Sequence, residues 1–285
     1  MKTTHPPVLR HIANLWSLVE CPNKRQDWPL ERKLTAVKAA GFDGFTTLPS
    51  KDHVRLAEKL GLIIVGYFSS SKAADFERLI RQNVDAGAVH INVQLGDHDT
   101  LTPEAVRLAV RLIELADKLG ARAAVEVHRD TCTETPEKTY ALAAGYRKVT
   151  GELLPMTWDF SHLSVVKHLA PPYWERLLVA PKLIQRAQQF HFRPFNGHHC
   201  QVPVTDGKGK LSLELTQWLP FLEKTIETWL AGKQSGREIF VVPEMGPIPG
   251  GYNFAQLPNS WEDAKVLRSI IAKTWKKVLA ARDAK

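Results

Sequence analysis

Glu126, Asp159, His191 and Glu244 are the side chains of this sequence best suited to act together, and they follow one another at intervals of 33, 32 and 53 residues. They stand in V-E-V-H-R (125–129), W-D-F-S-H (158–162), F-H-F-R (190–193) and P-E-M-G-P (243–247), each beside an apolar run. Asp159 poses the sharpest question, because it sits between Trp158 and Phe160. A carboxylate in such a setting loses hydration worth several kcal/mol or more, so it needs a cation or strong donors. Three converging carboxylates would also repel one another and force at least one to hold a proton. A divalent cation removes that conflict. Three oxygen donors and one imidazole suit an octahedral, hard-to-borderline ion, which favours Mn²⁺, admits Mg²⁺, Co²⁺ or Zn²⁺, and leaves open positions for a substrate.

Such a cage requires elements that end side by side. The chain alternates short β-prone runs with amphipathic helical stretches, the pattern of parallel strands joined by helical crossovers. Candidate strands are 11–18, 42–48, 62–69, 89–95, 122–128, 156–160, 187–192 and 238–243. The clearest helices are 29–40, 52–60, 72–86, 103–119, 136–149, 212–231 and 260–281. Thr102 before Pro103 and Thr135 before Pro136 read as N-caps, and Gly41, Gly61 and Gly120 as stops. The proline-containing crossover at 163–186 has the weakest pattern.

Eight such rounds in one chain of this length predict a single-domain (β/α)8 TIM barrel over 1–285, with an open doubly wound sheet as the alternative. No G-x-G-x-x-G phosphate loop is present, and G-K-G-K at 207–210 has no strand before it, so it reads as a turn. In a closed barrel the chemistry collects where strands end. The period-2 alternation puts Glu126 and His128 on one face, and likewise Gln189, His191 and Arg193. The intervals of 33 and 32 match one repeat each; the third is longer by about the connection 194–211, which is of a length that often carries function.

The composition is that of an ordinary globular chain: 44% hydrophobic and 24% charged residues. The excess of 38 Lys+Arg over 30 Asp+Glu is scattered at helical spacing, as on solvated outer faces, and gives no reason to expect a nucleic-acid partner. Cys21, Cys132 and Cys200 lie far apart without a C-x-x-C pair, which argues against a disulfide framework or a cysteine zinc site. The N-terminal M-K-T-T-H-P-P-V-L-R contains no apolar leader run, and no apolar stretch is long enough for a membrane span. The expectation is a cytoplasmic protein.

On these four motifs the sequence resembles the xylose isomerase-like TIM barrels, sugar isomerases and epimerases, over most of its length and closest to the ketose 3-epimerase and sugar phosphate isomerase branch. The resemblance implies that Glu126, Asp159, His191 and Glu244 hold one divalent metal and that His162 faces substrate. It implies further that Glu126 and Glu244 take and return a proton from opposite sides of a sugar, through a metal-stabilised enediolate. Relatives of this kind often form homo-oligomers. One departure concerns substrate: an arginine that grips sugar in the ketose epimerases falls where this chain has Gly197, and Arg193 is the candidate to replace it.

His128 is a further candidate for substrate contact; Arg129 and Gln94 are weaker ones, and Trp16, Tyr67 and Phe68 could floor a sugar pocket. The segment G-P-I-P-G-G-Y (246–252) follows the last strand, where barrels often seat phosphate on backbone N–H groups. The adjacent His198 and His199 suggest a second metal, against a plain loop. A metal-dependent dehydratase or lyase on a keto-inositol or keto-glycoside would start from the same proton abstraction. A DNA-repair nuclease of the endonuclease IV type is a more distant alternative, since the strand ends G-Y-F-S-S and N-V-Q-L-G lack its extra histidines and the long connection lacks a D-x-H pair.

Overall fold

The structure, a computed structural model, describes residues 5–283; the first four and the last two residues of the chain lie outside the described residues. Eight parallel strands follow one another around a closed barrel in sequence order: β1 (Val8–Asn14), β2 (Gly44–Thr47), β3 (Ile63–Ser70), β4 (His90–Leu95), β5 (Ala123–Glu126), β6 (Met156–Trp158), β7 (Gln189–Phe192) and β8 (Glu238–Pro243). β8 closes on β1 with Leu9 opposite Ile239 and His11 opposite Val241. The helices are α1 (Leu30–Ala39), α2 (Lys51–Leu60), α3 (Ala73–Asp85), α4 (Thr102–Lys118), α5 (Pro136–Thr150), α6 (Phe160–Val166), α7 (Trp174–Leu177), α8 (Pro181–Gln185), α9 (Leu213–Leu230) and α10 (Ser260–Asp283). Among the described residues no helix is long and apolar enough to cross a membrane, and Cys21, Cys132 and Cys200 are unpaired.

Alternation along each strand divides the apolar residues into two cores. The larger one packs outward-facing strand residues such as Val93, Val125, Trp158 and Phe190 against the helices. A second, smaller cluster of Ile12, Val65, Phe240 and Val242 comes from the opposite strand faces and plugs the barrel. His90 belongs to this plug, stacked on Phe240 with ring centroids 5.4 Å apart. Its burial, reinforced by Arg122 and His191, drives the imidazole pKa down to about 3, so His90 fills space as a neutral ring. The plug is the floor on which the strand-end residues stand.

Several boundaries differ from those the sequence suggests. The first strand ends at Asn14, the fourth residue of the predicted 11–18, because the Asn14 side chain accepts from Trp16 N–H and turns 15–18 into a 3-10 helix. Thr102 is already the first residue of α4, and Leu101 before it supplies no side-chain cap. Thr135 does cap α5, accepting from Lys138 N–H. The Pro-containing crossover after β6 breaks into three short helices, α6 to α8, with Pro181 opening the last. G-K-G-K sits in a turn closed by the antiparallel bridge between Thr205 and Leu211.

Candidate active site

A cavity of about 660 Å³ opens at the C-terminal ends of the strands, and Glu126, His191, Glu244, His128, Tyr67 and Trp16 are among its lining residues. A larger groove of about 890 Å³ lies on the outside between α2 and α3, bordered by Glu77 and Arg81, and has no strand-end residue in it. The chemistry belongs to the smaller one. Phe68 is not part of it; that ring points outward and packs on Phe76.

Glu126 ends β5, His191 lies in β7, and Glu244 directly follows β8. Their ligand atoms all lie within 4.8 Å of one another. His191 Nδ1 is 2.9 Å from Glu126 Oε1 and 3.1 Å from Glu244 Oε2, yet makes a directed hydrogen bond to neither. Each carboxylate is steadied by an asparagine that the sequence reading passed over: Asn92 Nδ2–H donates to Glu126 Oε2 at 2.8 Å, and Asn14 Nδ2–H donates to Glu244 Oε1 at 2.7 Å. Parity along β4 and β1 was the signal for both, since Asn92 shares a face with Gln94, and Asn14 with Ile12.

The other nitrogen of His191, Nε2, is 2.6 Å from the Gln189 amide, whose carbonyl oxygen has no other partner. With that oxygen turned toward the ring, Nε2–H donates and Nδ1 keeps its lone pair between the two carboxylates. Two carboxylate oxygens and one imidazole nitrogen so placed fit a divalent cation. In the chain by itself a proton takes this role. Burial would lower the His191 pKa, but Glu244 and Glu126 raise it well above the ordinary imidazole value. Burial likewise would raise both carboxyls; His191, His128 and Asn92 instead bring Glu126 down to about 2, and His191 and Arg193 lower Glu244.

Asp159, expected as the fourth ligand, stands outside this trio. It caps α6: Oδ1 accepts from Ser161 N–H at 3.0 Å and from Ser161 Oγ–H at 2.5 Å. Its Oδ2 pairs with Arg193 Nη2, and His162 Nε2 lies 3.4 Å away. The same Nη2 reaches Glu244 Oε2 at 3.2 Å. Asp159 is fully buried and burial alone would raise its pKa, but Arg193 and His162 hold it well below the carboxylate range. The cation that the Trp-Asp-Phe stretch demanded is therefore a guanidinium of the chain itself.

His162 and Arg193, expected to touch substrate, lie behind the cavity wall rather than on it. Arg193 is sealed by the face of Tyr252, 4.6 Å from guanidinium carbon to ring centroid; Arg129 also stacks on Tyr252, at 4.9 Å. His128 does line the cavity, 4.4 Å between ring centroids from His162. Its Nδ1 is 2.7 Å from the Arg129 carbonyl, which only accepts, so Nδ1 carries the hydrogen and Nε2 keeps a lone pair in the neutral ring.

The remaining candidates lie outside the trio. In 246–252 the three glycine donors are engaged within the chain: Gly246 N–H donates to Gln201 Oε1, Gly250 N–H to Pro247 O and Gly251 N–H to Ile248 O, which leaves no row of converging N–H groups for a phosphate. Gly246 is needed for packing, since a Cβ there would come within 2.6 Å of the Trp16 ring. Residue 197 has no room for an arginine, because a Cβ would lie 2.3 Å from Leu169 O. His198 and His199 sit on an exposed turn with both backbone N–H groups on Asn196 Oδ1.

No family model and no curated protein matches the chain. Among solved structures it is similar to a xylose isomerase-like TIM barrel protein from Mycobacterium smegmatis in complex with magnesium, with 16% identity, a TM-score of 0.58 and coverage of 93% of this chain and 97% of that one. The fold is that of the xylose isomerase-like TIM barrels. Within the same fold, the chain is similar to the 3-keto-D-glucoside 4-epimerase of E. coli (12% identity, TM-score 0.57, covering 93% and 99%). It is also similar to the probable 3-DHS dehydratase of Bacillus anthracis (14%, 0.55, covering 92% and 99%).

Proposed function

We propose that this chain is a divalent-metal-dependent isomerase or epimerase of a ketose or related keto-sugar, with Mn²⁺ the favoured ion. The observation that carries the proposal is the convergence of Glu126, His191 and Glu244 inside the strand-end cavity, with Nδ1 of the histidine aimed between the two carboxylates. These three residues would hold the ion. When bound, it supplies Lewis-acid polarisation of a substrate carbonyl, which makes the neighbouring C–H more acidic.

The remaining work falls to side chains. Asn92 and Asn14 each hold one carboxylate oxygen, which fixes the planes of Glu126 and Glu244 and limits the reorientation needed during proton transfer. With their pKa values lowered, both rest ionised, the form able to take a proton from carbon. Whichever carboxylate accepts the proton becomes the acid that returns it to the same carbon face; delivery to the opposite face requires the second carboxylate first to take up a proton from water, the first then releasing its own to water. Arg193 spreads positive charge over Glu244 from behind and favours its ionised form. Trp16 and Tyr252, edge to face at 4.9 Å, narrow the access of water.

The test is exchange of the α-proton of a ketose panel in D₂O, followed by NMR on protein loaded with Mn²⁺ or Mg²⁺. Glu126→Gln and Glu244→Gln should each slow exchange by about 10²–10⁴-fold; unchanged exchange in either removes that residue from the reaction. A lyase reading is favoured by one feature: His128 lines the cavity with Nδ1 held by the Arg129 carbonyl, which leaves Nε2 as the ring atom to exchange a proton with a substrate oxygen. Appearance of a dehydrated product rather than an epimer in the same samples would select it.

A further inference from the structure

The cavity has two unlike halves. Glu126, His191, Glu244 and His128 form one, at the ends of β5, β7 and β8. The opposite half comes from the segments after β1 and β2 and presents Leu15, Trp16, Val19, Leu30 and Leu48. Val19 and Leu48 keep 37% and 45% of their surface exposed while lining the cavity. Large apolar side chains left open side by side in a binding cavity point to an apolar occupant.

The polar residues on that half are few, Thr46, Thr47, Lys33 and His53, and the last three are partly engaged within the chain, Thr47 Oγ1 with Leu48 O. Lys33 Nζ pairs with Asp27 at 2.8 Å, and His53 Nδ1 is 2.7 Å from Ser50 Oγ in the capping box of α2. Against the five apolar side chains of that wall a sugar hydroxyl would give up water without a new partner. A free ketose carries hydroxyls at almost every carbon and would match only the polar half.

We propose that the substrate is a keto-glycoside with an aryl or alkyl aglycone, the keto-sugar ring at Glu126, His191 and Glu244 and the aglycone against Leu15, Trp16, Val19, Leu30 and Leu48. The inference rests on the catalytic reading above for the sugar end only. Trp16 is the centre of the aglycone wall: Gly246 lets its ring lie close to the chain, and Tyr252 meets it edge to face. Continuity of the wall with the catalytic half selects an attached aglycone over an unrelated apolar molecule.

Inert probes test the wall apart from the reaction. Calorimetric titration of the manganese-loaded protein with phenyl and with methyl β-D-glucopyranoside should give the phenyl compound a roughly 30-fold tighter dissociation constant, as burial of one aromatic ring predicts. In Val19→Ser/Leu48→Ser, whose changes are on exposed positions, that preference should fall below about threefold with the methyl value unchanged. Equal binding of the two glucosides by the native protein overturns the proposal, as does a preference that survives in the double variant. A dimer that the double variant dissolves also overturns it, since a second copy of the chain would then cover the wall. α-Proton exchange on the matching keto-glycosides separates the two readings. Exchange without phenyl preference sinks the aglycone wall alone; phenyl preference without exchange supports the wall and sinks the catalytic reading.

Discussion

Replacing Asp159 by Asn keeps the shape of the side chain and an oxygen for the α6 cap, and removes one charge. Arg193, 1% exposed, then retains only Glu244 at 3.2 Å, beside the face of Tyr252. Breaking one side of a buried ion pair costs about 3–5 kcal/mol. The surviving Glu244 contact and the amide cap place this case at the lower end, about 3 kcal/mol, or a fall in Tm of about 6–12 °C at ~2–4 °C per kcal/mol. Arg193→Met should cost a similar amount, because Asp159 is left with Ser161 and a distant His162. Asp159→Asn/Arg193→Met, which removes both charges, should recover to within about 1 kcal/mol of the native chain. Denaturant unfolding of the four proteins gives the cycle. Manganese titration adds a second arm: because Asp159 stands outside the trio, Asp159→Asn should weaken Mn²⁺ by less than about tenfold, while His191→Ala removes a ligand and should abolish tight binding. Additive losses in the double variant, or equal loss of manganese in Asp159→Asn and His191→Ala, would refute this account.

Manganese binding must displace the proton that His191 holds with its raised pKa, so apparent affinity should climb with pH by up to about tenfold per unit below that pKa, with proton release visible in buffers of different ionisation enthalpy; a flat profile from pH 5.5 to 8 would contradict it. The sign reverses for the metal-free fold, where the His191 charge stabilises most below its unfolded value and this contribution fades as pH rises through the folded one. Asn92→Ala frees Glu126 Oε2 and should reduce α-proton exchange or metal affinity roughly 10–100-fold, with about 1–3 kcal/mol lost in stability for the orphaned buried carboxylate oxygen; no effect on exchange or affinity would remove Asn92 as a positioning residue. Gly246→Ala drives a methyl into Trp16 and should cost about 1–3 kcal/mol with a shift of tryptophan emission, and native-like stability and emission would show that the ring yields freely.

Alternation of β-prone and helical runs was enough to read the barrel, because each strand-end motif lies one repeat from the next. Parity along the strands correctly put Glu126, His191 and Glu244 on the cavity side. It could not tell which cation each carboxylate would choose. Asp159 and Arg193 are 34 residues apart, and their pairing depends on the side-chain reach of β7 against the first turn of α6, which no spacing encodes. The same limit affected Arg193 and His162, legible as strand-end residues but one layer behind the cavity surface. The segment 246–252 is ambiguous for another reason: Gly and Pro signal a turn whatever its purpose, and here the glycine N–H groups are spent on Gln201 and on the turn itself. The first strand ran long in the sequence because Leu15, Trp16 and Leu18 continue its apolar character into a coil that Asn14 has already bent.

Gln201 grips Gly246 from both sides, its amide oxygen taking the backbone N–H at 2.6 Å and its amide nitrogen reaching the carbonyl at 3.0 Å. A single side chain thus imitates one rung of a β-ladder and rivets the long excursion 194–211 to the turn beneath Trp16. Tugging on that excursion, whether by lengthening it or by loading its outer tip, would tilt the indole and reshape the far wall of the chamber without touching a residue inside it.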